Sequence, residues 1–177
     1  MRLVIERGEL LRALGHVASV VERRTTIPIL SNVMLKASGT SLQFKATDLE
    51  REVSESVSAK VATPGTLTVP AHMLHDIVRK LPEGAEIEIK READKERLTL
   101  TSGHSRFSLQ TLSAEDFPDL AVGEIGHEFI IDGADLKRLI EKTRFAISRE
   151  ETCYYLNGMY LHTAEVGKTK TLGAVAT

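Results

Sequence analysis

Hydrophobic and polar positions alternate over residues 2–6, which predicts a strand. The period then lengthens. Leu10, Leu14, Val17 and Val21 recur at helical spacing, Leu11 widens the stripe, and Arg12 and His16 lie on the other face. The helix is expected to end before the polar run Glu22-Arg23-Arg24-Thr25-Thr26, since Pro28 forbids its continuation. Three strand-like runs follow at 33–36, 42–47 and 53–61, with a turn at Ser38-Gly39-Thr40 between the first two. A further strand at 66–69 leads into a helix opened by Pro70, with Met73, Leu74, Ile77, Val78 and Leu81 as its apolar positions. Pro82-Glu83-Gly84 ends it. Strands at 86–90, 97–101 and 106–112 complete the pattern, with a hairpin turn at Ser102-Gly103-His104. Residues 1–115 therefore read as strand, helix, three strands, and then the same again. This is an α+β order, with helices expected on one face of a continuous antiparallel sheet. Residues 113–126, with Phe117-Pro118-Asp119 and two glycines, read as a connecting segment.

A third strand and helix begin at His127, and a shift of 126 residues lays the first unit on them. Leu10 falls on Leu136, Leu14 on Ile140, Arg23 on Arg149 and Leu30 on Leu156. The run ILSNVMLKA (29–37) falls on YLNGMYLHT (155–163), apolar positions in phase. Farther on the shift becomes 130, and the four extra residues are expected to lengthen the hairpin turn around AEVGKTKT. A repeat of this kind implies an array or ring of like domains. The expected organisation is a complete domain at 1–120, a linker at 121–126, and the first part of a second domain at 127–177. With half a core, the second part is expected to expose apolar side chains and an unpaired strand edge.

Composition narrows the class. The apolar fraction of 42% supplies a real core, and the 27% of charged residues suits a soluble surface. No apolar run approaches the roughly 20 residues that span a bilayer. The opening MRLVIERGEL sets charges inside its apolar stretch, unlike a signal peptide. Cys153 is the only cysteine, which favours a reduced, cytoplasmic setting. The net charge of -2 argues against a simple basic DNA-binding module. Its distribution says more. Residues 7–24 sum to +2 and residues 137–149 to +4, whereas residues 48–55 sum to -3. Helices are basic and strands acidic, a pattern that solvated faces alone also produce.

Few residues suggest chemistry. Val166-Gly167-Lys168-Thr169 resembles the end of a phosphate loop, but the required earlier glycine is His162, and a hairpin turn fits better. His72 and His75 stand three apart on a helix without an evident third metal ligand. Asp48 and Glu50 lie at a strand turn with no nucleophile or base beside them. No cofactor is expected. Three features remain. Arg23, Arg24 and Arg149 occupy matching turns suited to sequence-independent phosphate contact. Tyr154-Tyr155-Leu156 follows the second of these turns. Phe107 and Leu109 share one strand face, directed either at the core or at a subunit contact.

The stretches TTIPILSNVML (25–35), ATDLE (46–50), LPEGAEI (81–87), SGHSRFSLQTL (102–112), AEDFPDL (114–120) and YYLNGMYLHT (154–163) together resemble the bacterial sliding clamp family, the beta subunit of DNA polymerase III. The resemblance implies a DNA-clamp fold. It also implies a non-enzymatic homodimeric ring around duplex DNA that tethers DNA polymerase III. DNA contact is implied for Arg24 with its neighbour Arg23, for Arg149 and Glu150 with Tyr154 beside them, and for His72. Glu150 stands where the family carries a neutral amide. His72 stands where arginine is common, and offers little charge near neutral pH. Leu156 and Thr177 match one wall of the pocket that takes short linear peptides from polymerases and the clamp loader, with Cys153 at its rim. Phe107, Leu109 and Arg106 match the first-domain side of the dimer interface. An open, non-ring nucleic-acid-binding or protein-interaction module remains an alternative. So does an enzyme with a phosphate site near Lys168 or a metal at His72 and His75.

Overall fold

Leu3 and Ile5 point inward from strand β1 (Arg2–Glu6), the flanking Arg2 and Glu6 are exposed, and Val4 between them is half-buried. Glu6 turns the chain into helix α1 (Arg7–Val17). Its backbone is still extended while its carboxylate accepts the Glu9 N–H at 3.0 Å, which satisfies one orphan donor of the first turn. The backbone N–H groups of Gly8 and then Glu9 hold the Glu6 carboxyl below its ordinary value. The computed structural model describes residues 1–23, 25–91, 96–120, 128–167 and 169–177. The expected linker at 121–126 lies outside these residues.

Helix α1 ends one turn earlier than the spacing to Val21 predicts. Beyond Ala18 the amides of Ser19, Val20 and Val21 each reach back three residues instead of four, at 3.3 Å. The tightened turn still buries Val20 and Val21, so the apolar signal outlasts the helix. The strands that follow are β2 (Asn32–Ser38), β3 (Ser41–Thr47), β4 (Glu52–Ser58), β5 (Lys60–Thr63) and β6 (Gly65–Pro70). Helix α2 (Ala71–Lys80) comes next, then β7 (Glu86–Arg91), β8 (Arg97–Ser102) and β9 (Ser105–Gln110). Gly39 and Gly103 take positive φ at the β2–β3 and β8–β9 turns, where a side chain would strain the backbone.

The expected single run at 53–61 is two strands. Val53, Glu55, Val57, Ala59 and Val61 keep facing inward, yet at Ala59 the chain crosses from one sheet to another. The continuous sheet is likewise two antiparallel sheets, ordered β5-β1-β7-β8-β9 and β4-β3-β2-β6. One bridge, Thr68 to Leu112, links them. The two β-α-β-β-β halves exchange their leading strands. β1 completes the sheet of β7–β9, and β6 completes the sheet of β2–β4. Leu3, Leu14, Leu35, Phe44, Leu74 and Ile89 are fully enclosed in the common core.

The two helices run antiparallel and are tied at both ends. Arg7, the first residue of α1, donates to the carbonyls of Val78 (3.2 Å) and Arg79 (2.8 Å) at the end of α2. His72, near the start of α2, donates from Nε2 to the Val21 carbonyl at 2.8 Å. Residues 113–120 pack onto this body instead of linking away from it. Phe117 is buried, Lys45 pairs with Glu52 (3.0 Å) and with Asp119, and the Leu120 N–H donates to Glu52.

The chain divides into two compact units, Met1–Ala121 and Val122–Thr177. The second holds helix α3 (Gly133–Thr143), a 3-10 turn at Arg144–Ala146, another at Glu151–Leu156, and the hairpin β10 (Tyr160–Val166) and β11 (Thr169–Val175). Asp132 caps α3 by accepting the Ala134 N–H at 2.8 Å. Helix α3 falls 126 residues after α1 at both ends. The pair Leu35 and Phe44 recurs as Leu161 and Ala174, with shifts of 126 and 130. The hairpin turn is not longer, however. Ser38–Ser41 and Val166–Thr169 each close around two residues, so the four extra residues lengthen the arms by two apiece. Among the described residues of this unit none is fully buried. Phe129, Ile130, Phe145, Tyr155 and Tyr160 are exposed.

Candidate nucleic-acid interface

Arg23 is exposed in the turn that follows α1. Arg24 lies outside the described residues. The basic face of α1 itself is engaged within the fold. Arg12 pairs with Glu9 and Glu55, both at 2.9 Å, and His16 Nδ1 lies 2.6 Å from the other Glu55 oxygen. The hydrogen bond to Glu9, and then its charge, raise the already high Arg12 value further. The contrast between basic helix and acidic strand is thus partly a helix–sheet contact. Arg23 forms no ion pair among the described residues, which leaves its charge to the solvent.

The neighbouring acid pair does not form a reactive site. Asp48 Oδ1 accepts the N–H groups of Glu50 (3.1 Å) and Arg51 (2.7 Å), and Oδ2 accepts from the Arg51 guanidinium at 2.6 and 3.0 Å. The Arg51 backbone bond is the first cause that holds this carboxyl below its ordinary 3.8. Every oxygen is occupied in holding the β3–β4 turn. His72 is half-buried with Nε2 committed to Val21, and His75 faces Asp76 at 3.7 Å. Among the described residues no group of three or more His, Cys, Asp or Glu is placed to hold a metal. Gly167, with φ 67, sits at the β10–β11 turn, as the hairpin reading of 166–169 requires, and Lys168 lies outside the described residues.

In the second unit, Arg149 and Glu150 are exposed just before the 3-10 turn at Glu151–Leu156. Ser148 shapes this loop. Its N–H donates to the Leu156 carbonyl at 3.2 Å and its hydroxyl accepts the Glu150 N–H at 3.2 Å. The Tyr154 side chain lies outside the described ones. Leu156 and Thr177, 21 positions apart, line one depression of about 240 Å³ together with Met159, Tyr160 and Val175. Cys153 is half-buried at a kink in the 3-10 turn and is not among the lining residues.

Strand β9 forms one edge of the five-stranded sheet. Arg106 is exposed and Phe107 half-buried. Leu109 is a correction to the expected subunit contact. It is 2% exposed, sits opposite Leu98 and packs in the core, whereas Phe107, opposite Leu100, is only partly buried against it. Apolar positions of α2 and its end accompany Phe107. Met73 (55% exposed), Ile77, Leu81 and Phe107 line a groove of about 500 Å³. The available signal was the width of the α2 stripe. Leu74 and Val78 fill the core, Ile77 packs against its margin, and Met73 is left exposed.

Comparison with known proteins places the whole chain. The family described as DNA polymerase III beta subunit, N-terminal domain, matches residues 1–121, and the central domain of the same subunit matches residues 130–177. The beta sliding clamp of Caulobacter vibrioides is 52% identical over 177 residues, covering 100% of this chain and 48% of that protein. The beta sliding clamp of Escherichia coli K12 is 43% identical over 164 residues, covering 92% and 44%. A crystal structure of the Caulobacter crescentus beta sliding clamp superposes with TM-score 0.95 at 52% identity, covering 100% of this chain and 47% of that one. The Pseudomonas aeruginosa sliding clamp bound to griselimycin superposes at 0.92 with 44% identity and the same coverage. The chain spans about half the length of the relatives it matches.

Proposed function

The chain belongs to the DNA polymerase III beta-subunit family, and from that membership we propose that it forms the N-terminal part of a sliding clamp, a ring that encircles duplex DNA. In this reading residues 1–120 are one clamp domain and residues 127–177 begin a second. The observation that supports it most is the repeat. Two helices of equal length, α1 and α3, are each followed by an exposed arginine at the matching position, Arg23 and Arg149. Cationic groups on repeated turns meet phosphates without reading bases. A protein that must slide needs few such contacts, because a closed ring is retained by topology, and this agrees with a net charge of -2.

The mechanism is tethering, not catalysis. A polymerase docked on the ring stays at high effective concentration near the primer end. The depression beside Leu156 and Thr177 serves as one wall of a pocket for short linear peptides from DNA polymerase III and the clamp loader, with Cys153 near its rim. The Phe107 groove, Arg106 and the open β9 edge form the first-domain side of a homodimer contact. Such a protein works in the cytoplasm. No described helix is long and apolar enough to cross a membrane.

The test compares Arg23→Glu/Arg149→Glu with the unchanged protein, at the full length of its relatives, on nicked circular DNA and on the same DNA linearised. The expected result is retention on circles, loss from free ends, and weaker retention in the charge-reversed protein with an unchanged melting temperature. Equal retention on circles and linear DNA would favour the open, non-ring module.

A further inference from the structure

Resting on the clamp reading, we propose that His72 is a positioning residue, whose imidazole holds the base of the Arg23 turn instead of touching DNA itself. The chain leaves α1 through long backbone bonds. The N–H groups of Ser19, Val20 and Val21 all donate at 3.3 Å, and the one short bond of the turn, from the Ser19 hydroxyl to the His16 carbonyl at 2.6 Å, lies at its start. The Val21 carbonyl comes at the end of this run, on a residue only 5% exposed, where an unpaired acceptor is costly. His72 Nε2 supplies the partner at 2.8 Å, from 51 residues away in sequence. The ring is mounted on a firm post. Ala71, Leu74 and Val78 fix α2 in the core, and Arg7 fixes its far end. Arg23 follows Val21 by two residues, so holding this carbonyl limits where the arginine can present its charge.

The geometry also argues against direct contact. A carbonyl only accepts, so Nε2 must carry the proton and spend it on Val21. A neutral ring can make this bond. The hold therefore needs no positive charge, whereas a phosphate contact draws its strength from one.

The experiment uses the 177-residue chain with His72→Ala, His72→Gln and Arg23→Gln. It measures amide exchange over residues 18–23 and affinity for a duplex oligonucleotide across a salt series that begins at low ionic strength. For His72→Ala we expect exchange about five-fold faster, the factor one net hydrogen bond is worth. Affinity should fall several-fold, with the slope of log K against log salt unchanged. His72→Gln, which can still donate to the carbonyl, should restore both. Arg23→Gln should lower that slope by about 1 and leave exchange unaltered. A lowered slope in His72→Ala would make His72 a phosphate contact. Unchanged exchange, or no rescue by Gln, would remove the hold. If Arg23→Gln leaves binding untouched while His72→Ala still speeds exchange, the DNA role of the turn fails and the hydrogen bond is structural only.

Discussion

Two residues on one strand face show how far position within a strand decides what a side chain does. Phe107 and Leu109 are spaced to share a face of β9, and they do. Leu109 lies opposite Leu98 and is enclosed, while Phe107 lies opposite Leu100 beside the α2 groove and stays half-buried. Leu109→Ala should therefore cost about 2–5 kcal/mol of unfolding free energy, the range for an enclosed leucine. Phe107→Ser should cost clearly less, since part of its surface is already in water. Urea denaturation of the two variants checks this. Equal costs would place Phe107 in the core and withdraw it from any docking surface. His72 teaches the same lesson for polar groups. The resemblance implies a DNA contact for it, but the fold gives its donor to a backbone carbonyl.

Elements were legible in the sequence where one physical signal dominates. Period, Pro28 and the turn glycines placed nearly every strand and helix of the first unit, and the repeat placed Arg23 and Arg149 on equivalent exposed turns. What alternation does not encode is the sheet to which a strand belongs. Inward positions run unbroken from Val53 to Val61, so nothing marks the crossing at Ala59 that separates β4 from β5. Long-range polar ties are equally silent, and Lys45 is the instructive one. It joins β3 to Glu52 on β4 and to Asp119 in the segment read as a linker. The hydrogen bond to Asp119, then that to Glu52, raise its amino group above the ordinary 10.5. A raised cation stabilises the fold below its unfolded value and loses that contribution as pH rises through its folded value. Lys45→Met should cost about 1 kcal/mol at neutral pH, because Asp119 is 84% exposed and its share is screened. Above about pH 10.5 the difference between the two proteins should shrink. A gap that persists at high pH would mean that packing of the lysine stem, not its charge, holds residues 113–120.

The molecule as a whole joins two units of unequal cohesion. The first unit closes its core because its two halves exchange strands, β1 passing to one sheet and β6 to the other. The second unit repeats the first half only. Its counterpart of β1, residues 128–132, forms no strand, and the partners that β1 finds in β5 and β7 have no counterpart among residues 128–177. Apolar side chains such as Phe129 and Tyr155 are exposed, and a unit with so few buried contacts is expected to open locally with ease. Amide exchange of the 177-residue chain should show β1–β9 protected to the limit of global unfolding, with α3, β10 and β11 exchanging orders of magnitude faster. Limited proteolysis should leave a resistant fragment that ends near residue 120. Extended to the length of its relatives, the same protein should gain protection across α3 and the β10–β11 hairpin, because a second β-α-β-β-β half would cover the apolar face as it does in the first unit. If β10 and β11 of the 177-residue chain are as protected as β1–β9, that face is already covered, and a second copy of the chain becomes the first occupant to seek by sedimentation.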